Sequence, residues 1–267
     1  MKLLPDTQKI IEKFIQTRVK EAGVTGVVIG LSGGVDSATT LALAVSALGS
    51  ENVTGLIMPF IYTESVELAS GHAESLKVEI KELNISSVVE SFKASTTSFS
   101  SKASEGNLHS RVRMTFLYGE AFHSGSLVMG TSNKSELLVG YYTKWGDGAS
   151  DFLPMGDLYK SQVYLLAEDL GIPKRILDRK PTAELWEGQT DEDDLGIDYA
   201  TLDQILLGLE RQLSFKRISS KIGIDPESVE RIGNLIKLSI HKRVFPPVCK
   251  IGLRTVGLDW RETIGSR

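Results

Sequence analysis

GVVIGLSGGVDSATTLALAVSALG, Gly26 to Gly49, is the stretch on which the fold turns. The run from Val24 to Leu31 is apolar and β-branched without alternation, as in a strand buried on both faces. Ala38 to Leu48 is rich in Ala and Leu and reads as a helix. Between them lies SGGVDS, Ser32 to Ser37, with two glycines, two serines and one acid. Gly33 and Gly34 lack Cβ atoms, so several backbone N–H groups can converge on one point, and the following helix adds the positive end of its dipole. Such a turn is an anion cradle. Ser32 and Ser37 supply hydroxyl donors, whereas Asp36 would repel a bare phosphate and makes sense only with a cation such as magnesium between them. The ordinary alternative, a glycine turn with Asp36 as helix cap, explains neither the serine pair nor the glycine pair. The stretch matches neither G-x-x-x-x-G-K-[ST] nor G-x-G-x-x-G.

Working outward, Val53 to Pro59 reads as a second strand and Val66 to Lys77 as a helix. Val78 to Ile85 reads as a short strand, Asn107 to Phe122 as a helix, and Ser126 to Thr131 as another buried strand. This alternation predicts an α/β fold: a doubly wound, mostly parallel sheet with helices on both faces. After Lys160 the chain turns helical, in SQVYLLAEDLGIP, YATLDQILLGLERQL and PESVERIGNLIKLSIHKR. Asp225 with Pro226 marks the start of the last of these. The serine-rich stretch Lys93 to Asn107 reads as a mobile loop.

At 267 residues the chain can bury a sizeable core. A net charge of −4 offers no broad basic surface for nucleic acid. The single cysteine, Cys249, excludes an internal disulfide and reads as structural, in a reducing compartment with the cytoplasm as default. Lys9, Glu12, Lys13 and Arg18 interleave with Ile10, Ile11, Phe14, Ile15 and Val19, which is an amphipathic helix rather than a signal peptide. No apolar run is long enough to span a membrane.

SGGVDS resembles the pyrophosphate loop (PP-loop) of the ATP pyrophosphatases. Further along, GTSNKSE (Gly130 to Glu136), GYYTKWGDGASDFLPMGDLYKSQVYLLAEDLGIP (Gly140 to Pro173) and KPTAELWEGQTDEDDLG (Lys180 to Gly196) are similar to ammonia-dependent NAD synthetase, as are RVRMTFLYGEA (Arg111 to Ala121) and HKR (His241 to Arg243). The resemblance runs from about Lys9 to Pro247, and related synthetases that share the loop lack GYYTKWGDGASD. One departure is Glu105, where the family often has lysine before GN.

The resemblance implies an adenine nucleotide alpha hydrolase-like fold and an ATP-dependent ligase. Its reaction adenylates the nicotinate carboxylate of deamido-NAD, releases pyrophosphate, and lets ammonia displace AMP to give NAD. By the same resemblance Gly30, Leu31, Ser32, Gly33, Gly34, Val35, Asp36, Ser37, Thr131, Lys160 and Thr182 contact ATP, Asp36 and Glu136 hold magnesium, and Asp36, Lys160 and Glu136 are the catalytic set. Arg111, Lys144, Asp151, His241 and Lys242 are implied on the deamido-NAD side, and Asp147 is a further acid that lines the same pocket or not. The resemblance further implies a homodimer, with no nucleic acid or membrane partner. Taken singly, Glu136 and Asp151 would pass for surface or capping acids, Lys144 and Lys160 for solvated charges, and His241 for a partner of a helix dipole. The acidic run Asp191 to Asp194 reads as a solvated loop rather than a metal site.

One late cysteine disfavours sulfur-transfer chemistry, which needs a cysteine pair. The synthetase pattern fills residues 1–267 as one domain and leaves no room for a glutaminase domain, so free ammonia is the expected nitrogen donor. Two other readings stay open: an ATP pyrophosphatase with a different acceptor, and a nucleotide-binding module without chemistry. Lys93 to Asn107 and Glu184 to Gly196 are the expected substrate-ordered loops.

Overall fold

Four parallel strands build the sheet in the order β3-β2-β1-β4. The computed structural model describes residues 1–182, 184, 186 and 188–255. The described elements run α1 (Thr7–Ala22), β1 (Val27–Gly30), α2 (Val35–Leu48), β2 (Val53–Ile57), α3 (Glu64–Ser75), β3 (Glu79–Glu82), α4 (Ser86–Ser95), α5 (Lys102–Ser124) and β4 (Leu127–Val128). They continue with α6 (Lys134–Val139), α7 (Lys160–Asp169), α8 (Lys174–Leu177), α9 (Asp191–Leu195), α10 (Tyr199–Glu210), α11 (Phe215–Ile222), α12 (Pro226–Leu238) and α13 (Ile240–Arg243).

β1 is central because Val27, Val28 and Ile29 are buried on both faces of the sheet. It pairs with β2 in the register Val27 to Val53 and with β4 in the register Val27 to Leu127. One face packs against α1, α2, α3, α7 and α8 through Ile15, Ile29, Leu41, Leu43 and Leu166. The opposite face packs Val28, Leu56 and Val128 against α4 and α5 through Val89, Leu108 and Val112. The doubly wound expectation is therefore borne out. A second core joins α6, α10, α11 and α12 through Leu202, Ile205, Ile218, Val229 and Ile232.

The outer strand β3, Glu79-Ile80-Lys81-Glu82, is polar, and Lys81 reaches Glu120 of α5 at 2.8 Å. Beyond β4 the sheet gains a single parallel bridge, Met129 to Phe152. Asp151 anchors it: its backbone N–H donates to the Val128 carbonyl at 2.9 Å, and its carboxylate accepts the Val128 N–H at 2.7 Å.

The serine-rich stretch Lys93 to Asn107 is not a loop. It comprises the end of α4, a 3-10 turn over Thr97–Phe99 and the first turns of α5. Ser101 and Ser104 cap α5 reciprocally, each hydroxyl accepting the other's N–H at 3.2 Å. Phe92 and Phe99 pack edge to face across the turn. Serines that read as loop formers are here helix starters. Glu105 pairs with Lys93 at 2.8 Å. Asp225 caps α12 with Pro226 in its first turn, as the sequence predicts. Cys249 is exposed, so the expectation of a structural cysteine is corrected. Of the predicted mobile segment Glu184 to Gly196, Leu185 and Glu187 lie outside the described residues, and Asp191–Leu195 forms α9. The one-domain expectation over 1–267 likewise reaches beyond them, past Thr255. No described helix is long and apolar enough to cross a membrane.

Ile205 is fully buried in the second core. Ile205→Ala should cost about 2–5 kcal/mol, seen as a lower denaturant midpoint at unchanged slope. An unmoved midpoint would mean that this helical part adds no cooperative stability.

Candidate active site

β1 has β2 on one side and β4 on the other, so the chain leaves the sheet in opposite directions on either side of this strand. A crevice opens at such a switch point, outside the carboxyl ends of the strands. The segment after β1 delivers Asp36, the second residue of α2, and the segment after β4 delivers Asn133 and Glu136 at the start of α6. Lys160, the first residue of α7, completes the group.

The Lys160 ammonium donates to the Asp36 carboxylate, and to Glu136 Oε1 at 3.1 Å. Asn133 Nδ2 donates to the other Asp36 oxygen at 2.9 Å. Asn133 also caps α6: its Oδ1 accepts the Glu136 N–H at 3.1 Å, and Glu136 accepts the Asn133 N–H at 3.3 Å. The Tyr199 ring lies under the ammonium, 4.9 Å from its centroid. Lys160 is 2% exposed. Burial alone would make this ammonium easier to deprotonate, but Asp36 and Glu136 outweigh it and raise its pKa above the ordinary lysine value. Glu136 is pushed up to about 7 by burial, with Lys160 opposing and Asp36 and Asp191 adding to the rise.

In the SGGVDS turn Gly33 has φ 75°, and a Cβ there would lie 2.3 Å from the Ser65 carbonyl oxygen. Only glycine fits. The two serines tie the turn to itself: Ser37 Oγ accepts the Ser32 N–H at 3.2 Å and donates to the Gly34 carbonyl at 3.1 Å. Gly34, not Asp36, occupies the N-cap of α2. Asp36 is thus left to face Lys160 and Asn133.

A second group lies where α5, the Gly140–Gly148 turn and α13 meet. Lys144 Nζ donates to the His241 carbonyl at 2.7 Å, and Arg111 donates to the Lys144 carbonyl at 3.4 Å. Lys242 Nζ donates to the carbonyls of Gly140 and Tyr142 at 2.7 and 2.6 Å, and burial lowers its pKa. Asp147 accepts Ser110 Oγ at 2.5 Å and the Thr143 N–H at 2.9 Å, which fixes the turn to α5. These contacts bring together Arg111, Lys144, His241 and Lys242. Asp151 belongs instead to the end of the sheet. Thr131 follows β4, half-buried, and Thr182 accepts the Glu184 N–H at 3.1 Å.

Sequence reading missed several neighbours. Asp191, placed in a solvated loop, is buried at the start of α9, where it accepts the hydroxyls of Tyr141 and Tyr199 at 3.2 and 3.3 Å. Burial raises its pKa. Of the remaining acids, Asp193 and Asp194 are exposed, Asp194 accepting the Tyr141 hydroxyl at 2.8 Å, and Glu192 is half-buried and accepts the Tyr199 N–H at 3.1 Å. Asn133 was findable, since Asn-x-x-Glu in NKSE is a capping-box pattern. His109, two residues before Arg111, is buried against the Phe60 ring at 4.3 Å and is held neutral, its pKa lowered to about 4 chiefly by burial. Arg113, half-buried, donates to the Met58 carbonyl at 2.9 Å.

A parallel sheet with a glycine-serine turn and a carboxylate–ammonium group at its switch point defines an adenine nucleotide alpha hydrolase-like protein, the fold of its solved neighbours. The NAD synthase family model matches residues 7–246. The chain is 48% identical to the NH3-dependent NAD(+) synthetase of Thermococcus kodakarensis over 237 residues, covering 88% of this chain and 93% of that one. It is equally similar to that of Archaeoglobus fulgidus, at 48% over 250 residues, covering 91% and 97%. Among solved structures, an NMN synthetase from Francisella tularensis superposes with a TM-score of 0.82 at 35% identity, covering 92% of this chain and 98% of that one. An NH3-dependent NAD synthetase from Campylobacter jejuni superposes with 0.79 at 32% identity and the same coverage. The chain belongs to the NAD synthase family and is a ligase that forms a carbon–nitrogen bond.

Gly33→Ala should lose about 1–3 kcal/mol to strain, whereas Gly34, at φ −91° with its nearest neighbour 3.5 Å from a built Cβ, should tolerate alanine far better. Equal melting temperatures for the two variants would sink this reading. Glu136 makes a pH prediction as well. Its folded pKa is raised, so its contribution to stability is full below the unfolded value and fades as pH rises through about 7. Glu136→Gln should therefore flatten the decline in melting temperature between about pH 4.5 and 7. A parallel decline in both proteins would exclude Glu136 as its source.

Proposed function

We propose that this protein converts deamido-NAD, ATP and ammonia into NAD, AMP and pyrophosphate, with ATP bound at the SGGVDS turn. The nicotinate carboxylate attacks the α-phosphorus, the bond to the β-phosphate oxygen breaks, and pyrophosphate leaves. Ammonia then adds to the acyl carbon of the adenylate, AMP departs, and a proton is released. The observation that carries this reading is the meeting of Lys160 with Asp36 and Glu136, from which it is 124 and 24 positions distant along the chain, at the mouth of a glycine-serine turn.

Charge management is the main task in phosphoryl chemistry, and these residues suit it. Backbone N–H groups of Ser32 to Ser37 at the start of α2 would receive the phosphates, with Gly30, Leu31, Thr131 and Thr182 completing the ATP contacts. Lys160, rooted in the core, would meet the charge that gathers on the leaving pyrophosphate. Among the described residues no group of three His, Cys, Asp or Glu side chains could hold a metal by itself. Two carboxylates from separate elements do fit magnesium arriving with ATP, which takes one or two protein oxygens and completes its shell with phosphate and water. Asp36 and Glu136 would hold that ion, which when bound neutralises phosphate charge.

Arg111, Lys144 and Lys242, with His241 beside them, form the group proposed for deamido-NAD, whose phosphates and carboxylate call for donors of this kind. Asp151 lies apart from this group, hydrogen-bonded to Val128 at the end of the sheet, and by family resemblance alone stays proposed as an acid for that substrate. Ammonia as donor is supported by the relatives, which are NH3-dependent synthetases, each spanned over nine-tenths of its length. A cytoplasmic homodimer completes the proposal, and light scattering checks the assembly.

Incubation with ATP, magnesium and ammonium, offering deamido-NAD or its mononucleotide counterpart, should give NAD with stoichiometric AMP and prefer the dinucleotide. Preference for the mononucleotide would place the chain with the NMN synthetase that it also resembles. AMP formed with neither acceptor would remove the amidation reading. Lys160→Met should lower kcat by about 10²–10³.

A further inference from the structure

Asp203 lies on α10 and is fully buried, beside the buried apolar residues Leu202, Ile205 and Leu206 of the same helix. One of its carboxylate oxygens accepts the Ser135 hydroxyl; the other accepts the Ser161 N–H at 2.8 Å and the Ser161 hydroxyl at 2.6 Å. The Ser135 oxygen in turn accepts the Lys160 N–H at 2.9 Å. Ser135 immediately precedes Glu136, and Ser161 immediately follows Lys160.

The first N–H groups of any helix have no partner inside it. Tyr159, at the N-cap of α7, gives that helix no side-chain acceptor. The N–H groups of Lys160 and Ser161 end instead on Ser135 of α6 and Asp203 of α10. Three donors from two helices converge on one side chain, a load that the two acceptor oxygens of a carboxylate share and that the single oxygen of an amide does not. The apolar neighbours would hold α10 in place without an acid. A buried acid there is accounted for by what it bonds.

We propose that Asp203 is a positioning residue for adenylation, locking the starts of α6 and α7 together so that Glu136 and Lys160 meet over Asp36. The assignment rests on the reading above that these residues serve the ATP phosphates. Asp203 touches no reactant; it acts through Lys160 and Glu136.

The test is the rate of AMP and NAD formation by Asp203→Asn in two backgrounds, wild type and Lys160→Met, with thermal melts to verify folding. In the wild-type background kcat should fall about 10–100-fold, as for a displacement near 1 Å, while KM for deamido-NAD stays within about twofold. In the Lys160→Met background the same change should cost a clearly smaller factor, because one of the two residues it acts through is gone. The same large factor in both backgrounds, or an unchanged kcat in the first, would overturn the positioning role and leave the site reading standing. Should Asp203→Asn not fold, Ser135→Ala, which cuts the link to the Lys160 N–H and spares both Ser161 bonds, is judged by the same two factors. Lys160→Met with undiminished kcat would overturn the site reading itself, and the positioning role with it.

Discussion

One ammonium between two carboxylates is the constraint on which the molecule is organised. Moving Lys160 into the interior costs several kcal/mol of lost hydration, and the same holds for each acid. The group is tolerable only because opposite charges and hydrogen bonds meet closely, with Asn133, the Tyr199 ring and the backbone of α6 filling the remaining valences. Burial is the main reason that the Glu136 pKa is raised; Lys160 opposes the rise, and the negative charges of Asp36 and Asp191 add to it.

Topology makes the meeting possible. Because β1 feeds α2 on one side of the sheet and β4 feeds α6 beside it, two helix starts open onto one crevice. Helix starts are where acids and anions are electrostatically favoured. A third start, that of α7, adds the lysine to the same spot, where its charge is disfavoured by its own helix and so leans on the acids. The position of α7 is consequently a matter of its partners, Ser135 and Asp203, rather than of its own cap.

Much of this was readable in the sequence because it is local. SGGVDS, the β-α alternation and the Asp225-Pro226 start each depend on a few neighbouring residues. The meeting of Asp36, Glu136 and Lys160 came from resemblance, since nothing local relates positions so far apart. Asp203 was illegible for the same reason: within YATLDQILLGLE it is one of several polar residues, and its partners lie on other elements. The misreadings at Lys93 to Asn107 and at Asp191 share a cause. Composition reports how much a segment likes water, whereas reciprocal caps turned serines into a helix start and a pair of tyrosine hydroxyls turned one acid of four inward.

The charged outer strand bears on how copies of the molecule can meet. In the fully overlapping antiparallel register a second copy's β3 would set Glu79 opposite Glu82, like charge against like charge, and the Phe152 bridge covers part of the opposite edge. Sheet growth from chain to chain, the usual route from a crowded solution to a fibre, is therefore discouraged at both margins. Contacts between native copies are left to helical surfaces, where association is set by side-chain shape and can be closed and finite rather than endless.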